Sequence, residues 1–185
     1  MARPSCKKQI LDAAESIVID SGAAHLTLDA VAERCGISKG GLIYHFPTKE
    51  ALLTGMIARL EEKIELIREG IRRQDGDGMT NELAVDIRMM RELSPEDYRL
   101  SAALLAVIAC QPDLMNPFRE QHHKRFWDDL ISSRSFTRSS ILFFAAMGLH
   151  FHQLLNISIV DNEQRREIFD ELLRLAESKE NLREV

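Results

Sequence analysis

The chain carries little that would brace it from outside a packed core. Its three cysteines, Cys6, Cys35 and Cys110, are odd in number and scattered over 185 residues. They form no disulfide framework and no metal-ligand spacing, so free thiols in a reducing cytoplasm are expected. Five prolines and nine glycines are few, which argues against long unstructured stretches. No apolar run follows Met1-Ala-Arg-Pro-Ser-Cys-Lys-Lys before Asp12 and Glu15, so the start does not read as a secretory signal. The most apolar run, Ile141 to Leu149, falls well short of the ~20 residues a membrane-spanning helix needs, and no membrane partner is expected. Internal repeats, low-complexity tracts and convincing strand patterns are lacking too. So are a nucleophile elbow and a phosphate loop, and no catalytic residue or cofactor is assigned.

Excess positive charge is also missing. The formal net charge is -5. Residues 1–54 are balanced, with Arg3, Lys7, Lys8, Arg34, Lys39 and Lys49 against Asp12, Glu15, Asp20, Asp29, Glu33 and Glu50. The acidic surplus therefore lies beyond residue 54. Affinity for a polyanion depends on where charge sits rather than on its total. The basic residues of the first third can share one surface, or they can be ordinary surface mixing.

What the chain does have is helical periodicity, and one stretch organises it. Thr27 reads as an N-cap, with Leu26 and Val31 at the spacing of a hydrophobic staple. Leu28, Val31, Ala32 and Cys35 then form one apolar face, and Gly36 supplies a left-handed stop. Ser38 caps a second short helix, with Ile37 and Leu42 repeating the staple. Helix, glycine turn, helix is the helix-turn-helix pattern. Its second helix crowds Lys39, Gly40, Gly41, Tyr44 and His45 into one short segment. Adjacent glycines cost roughly 1 kcal/mol each relative to alanine in a helix interior. A helix pressed into a DNA groove gains from them, because its backbone can approach phosphates and base edges closely. A frayed surface helix punctuated by glycine is the alternative.

The stretch Gly36-Ile-Ser-Lys-Gly-Gly-Leu-Ile-Tyr-His-Phe-Pro-Thr-Lys-Glu-Ala-Leu-Leu53 resembles the core signature of the TetR family of bacterial transcriptional regulators. The likeness reaches back through Leu26-Thr-Leu-Asp-Ala-Val-Ala to the helix beginning near Ser5, and covers about the first third of the chain. Many members carry Thr or Ala where this chain has Gly41, and Tyr where it has Ile43, so the operator sequence does not carry over from relatives. The resemblance implies an all-α protein with an N-terminal three-helix DNA-binding domain, residues 1–47. A C-terminal helical domain for effector binding and dimerisation, residues 48–185, follows. It also implies a ligand-responsive regulator, most simply a repressor, with an activator or a regulator without a small-molecule effector as the alternative.

In that light Thr27, Ser38, Tyr44, His45 and Lys49 are expected mostly to fix register on phosphates, Lys39, Gly41 and Tyr44 to meet base edges, and Gly40 to belong to the same DNA-binding set. Lys49 stands at a helix N-terminus capped by Thr48, where phosphates bind readily. His45 is equally readable as a surface histidine without a task. Arg3 in the short tail can reach phosphates, or belong to a loose terminus.

The rest of the chain reads as helices in series. The first runs from Ser5 to Ser21-Gly22, with Ile10, Leu11, Ala14, Ile17 and Val18 as its stripe. A long helix extends from Lys49 to about Arg73. Its acids and Arg68, Arg72 and Arg73 are expected on a solvated face. Gln74 to Gly78 reads as a loop, and Thr80 or Asn81 starts a helix through Leu93. Ser94-Pro95 opens an Ala- and Leu-rich helix to Cys110, expected to be deeply buried. After Gln111-Pro112-Asp113 a long helix is expected to Ser132, holding His122, His123 and Trp127. His122 and Asp129 share a face, yet adjacent histidines diverge and no zinc spacing appears, so no metal is assigned. Ile141 to Leu149 is nearly all apolar and its helix is expected to continue to Ile159, and Asp161 with Gln164 caps the last helix. A helix apolar all round needs cover on a second side, and another copy of the chain supplies it most economically.

Met89, Phe118, His122, Phe143, Met147 and His150 are candidates to line a pocket for a largely apolar small molecule, since bundle pockets are apolar with a few polar groups. For each one, plain core packing is the other reading. Two further functions stand beside the regulator: a helical enzyme using His122, His123 or His150, and a dimeric module whose helix-turn-helix binds protein.

Overall fold

A computed structural model describes residues 6–75, 81–120, 123–124 and 135–178. These residues form helices and short connections, with no strand among them. Packing divides the chain into two compact units, residues 1–62 with 95–117, and residues 63–94 with 118–185.

In the first unit, α1 spans Cys6–Ser21, α2 Leu28–Cys35 and α3 Lys39–His45. The long helix α4, Lys49–Asp75, begins here, and α6, Pro95–Cys110, packs on α1. The apolar stripe of α1 makes the core: Ile10, Ala14, Ile17 and Val18 are buried together with Leu26, Val31, Leu42, Leu52, Leu53 and Met56. The caps take the positions that their residue types favour. The Ala30 N–H donates to Thr27 Oγ1 (3.1 Å), Gly41 N–H to Ser38 Oγ (3.1 Å) and Ala51 N–H to Thr48 Oγ1 (3.0 Å). Gly36 takes φ 66°, while Ile37 N–H reaches Ala32 O and Gly36 N–H reaches Glu33 O, both at 3.1 Å. That pair of bonds is the Schellman ending, which requires the left-handed residue supplied by glycine. The helix α6 is less buried than its composition suggests. Tyr98, Leu100 and Leu104 face inward, but Ala106, Ala109 and Cys110 are exposed. A 3₁₀ turn, Pro112–Met115, follows it.

In the second unit, α5 (Glu82–Glu92), α7 (Phe136–Leu154) and α8 (Asn162–Glu177) pack on one another. Asn81 caps α5 through its side chain. Asp161 and Gln164 close a full capping box on α8. The expected solvated face of α4 is wrong at Arg68, which is completely buried. Its guanidinium pairs with Asp86, itself buried on α5, and donates to Glu82 Oε2 at 2.9 Å. Arg72 donates to Glu82 at 2.7 and 2.9 Å and to Glu65 at 2.8 Å. Those hydrogen bonds hold the Glu82 carboxyl below its usual range, against the opposing effect of burial. Two guanidiniums and three carboxylates thus cross-link α4 and α5.

The helix expected to run to Ile159 stops at Leu154. Asn156 turns left-handed (φ 53°), Ile157 N–H bonds His152 O (2.9 Å) and Asn156 N–H bonds Gln153 O (3.1 Å). Asparagine is the side chain after glycine that best tolerates this conformation. Arg3, His122, Trp127, Asp129, the Gly78 turn and the tail after Ser178 lie outside the described residues, as does most of the helix expected to end at Ser132.

Candidate nucleic-acid interface

The short helix α3 buries little. Leu42 inside it and Phe46 after it are its anchors, both almost wholly enclosed. Lys39, Gly40, Ile43 and Tyr44 fall on the opposite, exposed side. Tyr44 is 85% exposed, an unusual position for a tyrosine with no internal partner for its bulk. Its ring meets the edge of His45, at 5.2 Å and 81°.

A β-carbon built on Gly40 would have nothing within 4 Å, so packing inside the protein does not call for glycine there. At Gly41 it would meet Ser38 Oγ at 3.3 Å, the same hydroxyl that caps the helix. Gly41 and His45 are half-buried on the flank of α3, away from the exposed side. Thr27 and Ser38 are exposed with their hydroxyls engaged as caps. Lys49 is half-buried in the first turn of α4. The structure therefore gathers Lys39, Gly40 and Tyr44 on one side and leaves Gly41 and His45 at its edge.

Two features of this surface had escaped the sequence. Ile43, 39% exposed beside Tyr44, offers an apolar contact of the kind a thymine methyl can use. Lys39 Nζ is held by Asp29 of α2, at 2.8 Å from Oδ1 and 3.0 Å from Oδ2. Arg34 is likewise engaged, donating to Ser16 Oγ at 2.8 Å with Asp20 at 3.4 Å. Cys35 Sγ donates to Gln9 O at 3.4 Å, and burial, with the nearby Cys6 and Asp12, raises its thiol pKa.

In the second unit Met89 sits on α5 and Phe143, Met147 and His150 on α7, two helices that pack together. Met89 and Phe143 are buried, Met147, His150 and Phe118 half-buried. The His150 imidazole is pushed down to about 4, chiefly by burial and further by the Arg165 guanidinium.

These elements define a helix-turn-helix protein with a second, all-helical unit. The family profile described as bacterial regulatory proteins, tetR family, matches residues 10–56, and the one described as tetracyclin repressor-like, C-terminal domain, matches residues 83–177. The second covers more than half of the chain, and the chain belongs to the tetR family of bacterial regulatory proteins. It is a transcriptional regulator by family and not an enzyme. The transcriptional regulator UidR of Escherichia coli K12 is 36% identical over 62 residues, 34% of this chain and 31% of that protein. The nucleoid occlusion factor SlmA of Aliivibrio fischeri is 36% identical over 63 residues, 34% of this chain and 32% of that protein. The matched stretch thus spans about a third of the length of these curated relatives. Among solved structures, a transcriptional regulator from Rhodococcus sp. Rha1 superposes with TM-score 0.71 at 19% identity, over 93% of this chain and 96% of that one. The multidrug binding protein EbrR complexed with ethidium gives 0.65 at 21% identity, over 90% and 97%. At such identities the likeness is one of fold.

Proposed function

We propose that the chain is a repressor that binds a (pseudo)palindromic double-stranded DNA operator as a homodimer and is switched by a small molecule. Residues 1–47 are the DNA-binding domain of this reading, and residues 48–185 bind the effector and dimerise. The observation that carries it is the outward side of α3. Lysine, bare glycine and tyrosine stand together on a helix whose other side is anchored by Leu42 and Phe46. Two such helices related by a two-fold axis would enter successive major grooves ~34 Å apart. Thr27, Ser38, Tyr44, His45 and Lys49 would hold phosphates, and Lys39 and Tyr44 would meet the base edges, with Gly40 between them and Gly41 at the margin of that side.

Dimerisation is supported by apolar surface on α7 and α8. Ile141, Phe144, Phe151 and Ile168 are all substantially exposed in the single chain, on the two helices expected to form a four-helix seam. An effector is supported by EbrR, a protein of the same fold crystallised with ethidium. For this chain the pocket would draw on Met89, Phe118, His122, Phe143, Met147 and His150, and a largely apolar molecule suits them. A coupling of ~1–3 kcal/mol between the two sites suffices for a switch. The cytoplasm is the proposed location, in keeping with described helices too short or too polar to cross a membrane. Selection of bound duplexes from random oligonucleotides tests the reading. Enrichment of a two-fold symmetric site supports it, and recovery of unselected sequence would sink it.

A further inference from the structure

We propose that Asp29 is a built-in competitor for DNA. It holds the Lys39 ammonium in the free protein and releases it only to a phosphate or base edge, which limits the grip of the helix-turn-helix on DNA of any sequence. This rests on the DNA-binding reading above.

The contact is two-pronged, with Lys39 Nζ lying 2.8 Å from one carboxylate oxygen of Asp29 and 3.0 Å from the other. It joins the first turn of α2 to the first residue of α3. Both side chains are more than half exposed, at 57% and 71%. An ion pair in water is weak and exchanges readily, so the lysine is held but not locked. Its partner is an anion of the same kind of hardness as a phosphate oxygen, placed where Lys39 heads the exposed side of α3. When Lys39 turns to DNA, the Asp29 carboxylate stays behind, next to the incoming phosphates, and repels them. A cation already compensated by a fixed carboxylate also has less net charge with which to displace counterions, so the salt dependence of binding is blunted. Arg34 of α2 follows the same pattern with Asp20 of α1.

The test is Asp29→Asn, with Asp29→Ser as a second variant. Fluorescence anisotropy is read on a selected operator and on a scrambled duplex between 50 and 200 mM KCl. Both variants should bind both duplexes about 2- to 10-fold tighter at the lowest salt, with a log–log salt slope steeper by about 0.9. In a Lys39→Ala background the gain should shrink, because the pair no longer exists. Unchanged or weaker binding by the variants overturns the proposal. So does an equal gain in the Lys39→Ala background, which would leave only general repulsion. A wild-type chain that binds neither duplex removes the DNA-binding reading itself, and the proposal with it.

Discussion

Phe46 lies against Gly55 so closely that a β-carbon on the glycine would come within 2.7 Å of Phe46 Cε1. The glycine of α4 leaves room for the aromatic ring that ends α3, and Leu11 of α1 lines the same spot, 3.5 Å from that β-carbon. In an open helix position Gly→Ala would stabilise by roughly 0.5–1 kcal/mol. Here the ring is buried, so shifting it disturbs the packing around it, and crowding outweighs the gain. Gly55→Ala should destabilise the protein by about 1–3 kcal/mol in urea denaturation. A gain in stability would mean that the ring yields freely.

Arg68 and Asp86 make the opposite kind of contact, charged and buried. Removing Asp86 takes away the buried carboxylate of the pair and leaves the Arg68 guanidinium to Glu82 and Glu65, which are partly exposed. Asp86→Ala should therefore cost somewhat less than the ~3–5 kcal/mol of a wholly stranded buried charge. Arg68→Met combined with Asp86→Leu should recover most of that loss, since apolar residues of similar size replace buried ion pairs with little penalty. A double variant as unstable as Asp86→Ala would show that the pair itself supplies stability.

The pH dependence of folding should carry the mark of His150. Its pKa is near 4 in the fold against 6.5 ordinarily. The unfolded chain then binds the proton first on acidification. The contribution of neutral His150 is whole above pH 6.5 and is lost as pH falls toward 4, up to about 3 kcal/mol. Glu82, whose pKa is lowered, contributes above its ordinary 4.5 and loses that contribution only below it, so the windows separate. His150→Gln should flatten urea stability between pH 6.5 and 4.5. An unaltered slope would clear His150 of the effect.

Phe144 is 67% exposed in the single chain. In the proposed dimer it is covered, and Phe144→Glu should convert the protein to monomer in sedimentation equilibrium while leaving its helical circular dichroism in place. A monomeric parent chain, or a variant that still pairs, would remove α7 from the seam.

Lys49 and Tyr44 should separate positioning from readout. Lys49→Ala should weaken binding to every duplex alike and lower the salt slope by about 1, as loss of a phosphate contact does. Tyr44→Ala should cost about 1–3 kcal/mol on the operator and less on random DNA. Equal losses on both would assign Tyr44 to register alone.

Local features were legible in the residues, and partnerships across helices were not. Thr27, Ser38, Thr48, Asn81 and Asp161 each cap the helix that their position in the sequence announces, because capping is decided within four residues. The glycine stop at Gly36 was equally plain. Arg68 was misread as solvated because its partners lie on another helix, and only Asp86 in the apolar stripe of α5 hinted at them. The end of α7 was legible too, since asparagine after an apolar run is a usable stop signal and Asn156 takes that part. In the interface, the exposed glycine, lysine and tyrosine of α3 were visible from their crowding. The tie from Asp29 to Lys39 and the outward turn of Ile43 depend on how α2 and α3 cross, which spacing alone does not specify.

The central claim is that the exposed side of α3 reads DNA. Its most direct measurement is anisotropy of the full chain on its own upstream promoter duplex and on a shuffled duplex of equal composition, across a salt series. The account predicts tighter binding to the promoter at every salt concentration, with affinity rising steeply as salt is lowered. Equal affinity for both duplexes, or none for either, would contradict it.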